Sequence, residues 1–192
     1  MRPALAVFVV AAVAQWLLPL SGIWQHERVI ARGTIVRIEC GAPDPYDPLR
    51  GRYLAVRPVE SRVPKPEGMA EGITDRDAVP VWATLVAGKD GLSRIESLSL
   101  EPVAGPTVIR LVAKWPHWGG SPRRETVFVE WPFDRFYLNE RLAPDADKLV
   151  ADWLRDGKKT VAEVSLLDGR AVLTDILLDG VSIRELVKQQ VK

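Results

Sequence analysis

The residues best suited to chemistry lie between positions 43 and 58, in the run PDPYDPLRGRYLAVRP. Asp44 and Asp47 are two carboxylates three positions apart, and the phenol of Tyr53 follows them. Paired carboxylates hydrolyse glycosides when they lie on opposite sides of a sugar, a geometry that this spacing in a proline turn does not provide. Short carboxylates beside prolines also accept backbone N–H bonds locally and so form turns. A scaffold turn is the favoured interpretation, and a binding or catalytic turn is the alternative.

Arg50 and Gly51 complete this turn. Arg50 can form an ion pair with either preceding aspartate and so fix the turn to the strand that follows it. Gly51 is expected to supply a backbone angle or a close approach that other residues cannot adopt. The scaffold interpretation therefore predicts that the fold depends more on Gly51 than on Asp44.

A second candidate contact surface is the stretch 115–124, WPHWGGSPRR. Aromatic and basic side chains around glycines are typical of surfaces that touch lipid headgroups, a glycan or a protein partner. The alternative is a long hairpin loop whose tryptophans fold back on the sheet. The residues concerned are Trp115, His117, Trp118, Arg123 and Arg124.

The residue types that most enzymes require are scarce in this chain. It has two histidines, which are far apart in sequence, and one cysteine, Cys40. A metal site needs several such ligands to converge, and neither a G-x-S-x-G elbow nor a phosphate-binding glycine loop occurs. The formal net charge of +1 does not favour nucleic acid as a partner. We expect no catalytic residue, metal, cofactor or nucleic-acid partner, while the question of enzyme activity stays open.

The N-terminal segment decides where the candidate residues described above lie relative to a membrane. Residues 4–24 carry no charge and reach the roughly 20 residues that a helix needs to cross a bilayer. This predicts a membrane anchor over residues 1–24, followed by a water-soluble domain over residues 25–192. A cleaved signal peptide is the alternative, since residues 12–14 have the small side chains of a cleavage site. Arg2 favours a cytoplasmic N-terminus and a translocated domain, a bias that Arg28, Arg32 and Arg37 just beyond the apolar run reduce.

Strand patterns and glycine turns dominate the rest of the chain. Residues 144–156 form the one clear helical pattern, with an apolar face. Residues 60–78 carry charges and prolines without periodicity, which predicts a loop. We predict an α+β fold, in which an N-terminal transmembrane helix precedes a mostly antiparallel β domain with one packed helix in its C-terminal half. Hairpins are expected about residues 89–91 and 168–169, between strands over residues 79–87, 92–100, 160–167 and 171–178. A further strand is predicted over residues 33–40, and another pair over residues 107–115 and 125–131.

The run 43–58 resembles the signature of the GDYXXLXY family, small bacterial membrane-anchored proteins of unknown function, in which D-P-x-D-x-L-R-G-D-Y precedes a strand. Residues 133–138, FDRFYL, resemble the aromatic segment that precedes the single helix of that family. The chain departs from the signature where Arg52 replaces its aspartate, Val56 its leucine and Pro58 its final tyrosine. If that aspartate has a chemical task in the family, this chain has lost it. The matching residues are Asp44, Pro45, Asp47, Leu49, Arg50, Gly51 and Tyr53.

The resemblance implies a location and a kind of partner more than an activity. Members of the family tend to accompany polytopic membrane proteins, which implies a non-enzymatic domain that binds or stabilises another membrane or envelope protein. The implied location is the bacterial inner membrane, with the soluble domain in the periplasm. The alternative is an envelope hydrolase or glycan-binding enzyme that uses the turn of Asp44, Asp47 and Tyr53.

Overall fold

The computed structural model describes residues 3–41, 53–69, 78–114, 125–139 and 142–190. The helices in these ranges are α1 (Pro3–Arg32), α2 (Ala143–Arg155) and α3 (Ile183–Gln190). The strands are β1 (Thr34–Gly41), β2 (Tyr53–Ala55), β3 (Arg57–Pro58), β4 (Arg62–Pro64), β5 (Val79–Ala87), β6 (Ser93–Ser99), β7 (Val108–Lys114), β8 (Thr126–Glu130), β9 (Arg135–Tyr137), β10 (Thr160–Leu167), β11 (Arg170–Leu178) and β12 (Val181–Ser182). Each ladder between these strands is antiparallel, so the predicted α+β class is confirmed.

The strands form two five-stranded sheets and one two-stranded ladder. Sheet I has the order β12-β11-β10-β1-β3, and sheet II has the order β4-β8-β7-β5-β6. The remaining pair, β2 and β9, forms the small ladder. Buried and more exposed residues alternate along most of β1 and β5, as expected for strands with one face on a core. Apolar side chains from both sheets form a single core cluster, whose most completely buried members include Ile38, Leu85, Ile109, Leu111 and Leu166.

Both predicted hairpins are confirmed. They could be predicted because each turn is specified by residues that are close together in the sequence. Both β5–β6 and β10–β11 pair across the expected turns. The β10–β11 turn also joins the two sheets, since the carbonyl oxygen of Gly169 accepts the N–H of Arg110 at 2.8 Å. Gly169 has a φ of +76°, and a Cβ atom there would lie 2.2 Å from the Trp82 ring. Only glycine fits this position, because a side chain would meet both backbone strain and the indole.

The predicted N-terminal helix is present and extends beyond the expected segment. Helix α1 continues to Arg32, and its last two turns lie against β10 and β11 of sheet I. Among the residues that the structure describes, no helix is long and apolar enough to cross a membrane. The prediction of a helix over residues 4–24 is therefore confirmed, whereas the prediction that it is a transmembrane helix is not supported.

Two further parts of the prediction need correction. The short C-terminal tail forms the second packed helix, α3, in which Ile183 and Val187 are fully buried, so the domain has more than one packed helix. The predicted loop over residues 60–78 contains strand β4, which pairs with β8. Both elements are short, and each is stabilised by distant partners that local periodicity does not show.

Candidate functional site

The two segments that carry the family resemblance meet in the β2–β9 ladder. Tyr53 lies opposite Tyr137, and Leu54 lies opposite Phe136. Successive side chains of a strand point to opposite faces. Leu54 and Phe136 are accordingly buried, while Tyr53 is half-buried and Tyr137 is 65 % exposed. The ladder therefore has an apolar inner face and an aromatic outer face.

Tyr53, Asp134, Arg135 and Tyr137 form this outer surface, which we call the tyrosine–arginine face. The two tyrosine rings are tilted by 57°, with their centroids 6.1 Å apart. The guanidinium carbon of Arg135 lies 5.0 Å from the centroid of the Tyr53 ring, within the range of a cation–π contact. Arg135 also forms an ion pair with Asp134, with Nε and Oδ2 3.5 Å apart. A hydrogen bond with Tyr137 and the charge of Asp134 raise the pKa of Arg135.

Helices α2 and α3 support the ladder from within the domain. The guanidinium carbon of Arg184, on α3, lies 4.5 Å from the centroid of the Phe136 ring. The same guanidinium donates a hydrogen bond to the carbonyl oxygen of Thr174 at 2.9 Å and lies 3.9 Å from a carboxylate oxygen of Asp175. Helix α2 contacts β2. The tyrosine–arginine face is therefore presented by a ladder that is anchored to the core.

Tyr53 is the predicted contact residue that the structure describes. The others lie outside the described residues: Asp44, Asp47, Arg50, Gly51, Trp115, His117, Trp118, Arg123 and Arg124. Arg135 and Tyr137 were missed as contact residues, although they belong to the aromatic segment 133–138. Their resemblance to the family pattern was the one signal in the sequence that could have identified them.

Cys40 is buried in β1 between β10 and β3. Burial raises the pKa of its thiol to about 12. Its carbonyl oxygen accepts a hydrogen bond from the hydroxyl of Thr160 at 2.9 Å. A neutral, buried thiol is a poor nucleophile, so this cysteine serves packing. Within the described ranges, no group of three His, Cys, Asp or Glu residues could hold a metal ion.

The described surface contains a larger and a smaller groove. The larger, of about 670 Å³, lies between β4 and β6, and a carboxylate oxygen of Glu60 accepts the N–H of Ile95 there at 2.8 Å. The smaller, of about 390 Å³, lies between α1 and the start of β11 and is lined by Gln25, His26, Arg110 and Arg170, among others.

A sequence model of the family described as GDYXXLXY protein matches residues 15–176. This match covers most of the chain. The chain belongs to the GDYXXLXY family. No curated protein and no solved structure matches it. The region matched begins within α1 and contains both strands of the β2–β9 ladder, so residues 15–32 of the helix and the tyrosine–arginine face both lie within the GDYXXLXY match.

Proposed function

We propose that this GDYXXLXY protein is a non-enzymatic domain that is attached to a membrane by α1 and binds another membrane or envelope protein. The observation that carries the proposal is the exposed apolar surface of α1. Trp16, Leu17 and Leu18 are 71 %, 60 % and 77 % exposed. A soluble monomer rarely exposes contiguous apolar surface of this kind unless the surface has a binding role.

The arrangement of these side chains favours lipid over a protein groove. Consecutive residues of a helix point about 100° apart, so Trp16, Leu17 and Leu18 together face most of the circumference. A single protein groove covers one stripe of a helix, so apolar side chains exposed over this wider arc fit a lipid environment better. We also propose the bacterial inner membrane as the location, with the domain in the periplasm, supported by Arg2 ahead of the apolar run.

The tyrosine–arginine face is the proposed contact surface for the partner. Tyrosine and arginine are the side chains that most often contribute strongly to protein interfaces. Tyr137 is largely exposed, while its neighbours Tyr53 and Arg135 hold the face in one arrangement. The ring of Tyr53 packs against Tyr137 and Arg135, which supports a binding role over the alternative of a hydrolase that uses this tyrosine.

Membrane attachment is tested by flotation of the full-length protein with phosphatidylcholine vesicles. The double variant Leu17→Ser, Leu18→Ser should remain in the dense fraction because its apolar surface is interrupted. The control Val86→Ser changes an apolar residue that is exposed on the domain, at the end of β5, and should float like the parent. Flotation of the double variant to the same extent as the parent would contradict attachment through α1.

Partner binding is tested in membranes of cells that carry a photo-crosslinking amino acid at position 137. We expect a discrete crosslinked product with a membrane protein, and we expect Arg135→Ala to weaken it because the face loses its cation. A crosslinker at position 103 is the control, because Val103 is exposed outside the ladder. Equal products from positions 137 and 103 would show that the crosslinking is not specific to the face.

A further inference from the structure

The groove between α1 and β11 has one wall from the helix and one from the sheets. Gly22, Gln25 and His26 line it from α1 and occupy positions i, i+3 and i+4, which share one face of a helix. Arg170 lines it from the first position of β11, and Arg110 from β7. The hydrogen bond between the Arg110 N–H and the Gly169 carbonyl oxygen fixes these two strands to each other. The groove is therefore built on rigid elements.

The charge that lines this groove is positive. Arg110 and Arg170 contribute two guanidinium groups, and none of the described residues that line the groove carries a carboxylate. Arg170 is held toward the helix by a hydrogen bond to the side-chain oxygen of Gln25. The guanidinium of Arg110 has no hydrogen bond or ion pair with any residue that the structure describes. The carboxylate of Asp168, which precedes Gly169 and Arg170 in the chain, lies 3.6 Å from the guanidinium of Arg28, so the charge of Arg28 compensates that of Asp168.

The groove begins where the apolar part of α1 ends. Trp24 is the last residue of the apolar run; Gly22 lines the groove from within this run, and Gln25 and His26 line it directly after the run. If the apolar part lies in lipid, as proposed above, the groove lies at the level of the headgroups. Indole rings such as that of Trp24 also favour the level of the lipid headgroups. The guanidinium carbon of Arg28 lies 5.9 Å from the centroid of this ring.

We infer that this groove binds the phosphate of an anionic phospholipid headgroup, and this inference rests on the proposed membrane attachment. A guanidinium group matches the geometry and charge of a pair of phosphate oxygens, and two such groups line this groove. The groove is open at Gly22, on the side of the apolar part of α1, because no atom lies within 4 Å of the position that a Cβ atom would take there. A headgroup held by Arg110 and Arg170 can therefore continue along α1 into its acyl chains.

The test compares vesicles of phosphatidylcholine alone with vesicles of equal parts phosphatidylcholine and phosphatidylglycerol. The full-length protein should bind the anionic vesicles roughly 10- to 30-fold more tightly, since each basic residue at the surface adds attraction. The variant Arg110→Gln, Arg170→Gln should lose this preference and keep its binding to phosphatidylcholine. The control Arg32→Gln, Arg37→Gln removes the same amount of charge at residues outside the groove and should keep most of the preference.

A second variant blocks the groove without any change of charge. Gly22→Leu places a side chain in the open space and should also abolish the preference for phosphatidylglycerol. A preference that survives in Gly22→Leu, or that falls equally in the Arg32, Arg37 control, would overturn the inference. Such a result would show a diffuse electrostatic attraction and no defined site.

A third measurement separates this inference from the proposed membrane attachment. The full-length protein in a neutral detergent is melted with dihexanoyl phosphatidylglycerol, dihexanoyl phosphatidylcholine or inorganic phosphate. The headgroup site is supported if dihexanoyl phosphatidylglycerol alone raises the melting temperature and if the variant Arg110→Gln, Arg170→Gln loses this rise. An equal rise with inorganic phosphate would overturn the assignment to lipid. Failure of the parent to float with phosphatidylcholine vesicles would instead overturn the membrane attachment and leave the melting result to decide on the site.

Discussion

The two parts of α1 have different surroundings, although they belong to one continuous helix. Residues 7–24 expose large apolar side chains, whereas residues 25–32 lie against sheet I. In the second part, Val29 is only 3 % exposed, and its carbonyl oxygen accepts hydrogen bonds from Ser165 at 2.7 Å and Gly33 at 2.8 Å. Hydrophobicity along the helix therefore does not predict which part attaches it to the domain. Close packing and buried hydrogen bonds at a few positions form the attachment.

The largest expected effect is at Gly33, where the chain passes from α1 into β1. A Cβ atom there would lie 2.5 Å from the carbonyl oxygen of Val29 and 2.9 Å from that of Leu166. Both contacts are with backbone, so Gly33→Val should lower the free energy of unfolding by about 3 kcal/mol or more. Urea denaturation measures the loss. Gly22→Ala, in the exposed part of the same helix, is the control and should not destabilise the domain. A parent-like unfolding curve for Gly33→Val would mean that α1 is not packed here.

The same substitution in the two parts of α1 gives the next comparison. Val29→Ala should lower the free energy of unfolding by about 2 kcal/mol, because two buried methyl groups are lost and a cavity remains. Val13→Ala removes the same atoms from a side chain that is 53 % exposed. It should change the free energy of unfolding by less than about 0.5 kcal/mol. Chemical denaturation of both variants in neutral detergent provides the measurement. Equal losses would remove the distinction between the two parts.

A smaller effect is expected at the buried hydroxyl that joins sheet I to the helix. Ser165 is fully buried, and its hydroxyl donates to the carbonyl oxygen of Val29. Ser165→Ala should cost about 1 kcal/mol, because the carbonyl oxygen keeps its hydrogen bond from the N–H of Gly33. Hydrogen exchange at the amide of Gly33 should also accelerate. Unchanged exchange would indicate that the hydroxyl does not help to hold the helix.

The smallest effect is expected at the ion pair between Arg28 and Asp168. Their side chains are 43 % and 72 % exposed, and the N–O distance is 3.6 Å. Arg28→Gln should change the free energy of unfolding by less than about 1 kcal/mol, and the difference should shrink in high salt. Thermal melts at low and high salt measure it. A loss as large as that of Val29→Ala would mean that electrostatics, and not packing, attaches the helix.

The parts of the fold that the sequence predicted correctly are those encoded over short distances. Asp90 accepts the N–H of Leu92 and pairs with Arg94, so the β5–β6 turn is specified by its own residues. Helix α2 was predicted from its apolar periodicity, and the structure begins it at Ala143. The docked end of α1 was not predicted, because Val29 is the one deeply buried residue there and most residues of this end, such as Gln25, Glu27 and Arg28, are polar or charged.

The candidate site was only partly predictable for the same reason. Tyr53 was identified from the residues around it in sequence, whereas its contacts with Arg135 and Tyr137 depend on a ladder between distant segments. Strands of three residues contain too few positions to show a period of two. The groove beside α1 has the same origin, because Gln25, Arg110 and Arg170 come from three separate elements. Such juxtapositions follow from tertiary structure and leave no local pattern.

The position of β1 within sheet I has a consequence for protein synthesis. β1 lies between β3 and β10, and its partner residues in β10 follow it by 126 positions, as for Arg37 and Glu163. A ribosome that adds about 5–20 residues each second needs roughly 6–25 s to make that interval. Throughout this time α1 has already been synthesised, but the surface that receives Val29 does not yet exist. Factors that recognise a nascent apolar helix therefore meet α1 before the rest of the domain does.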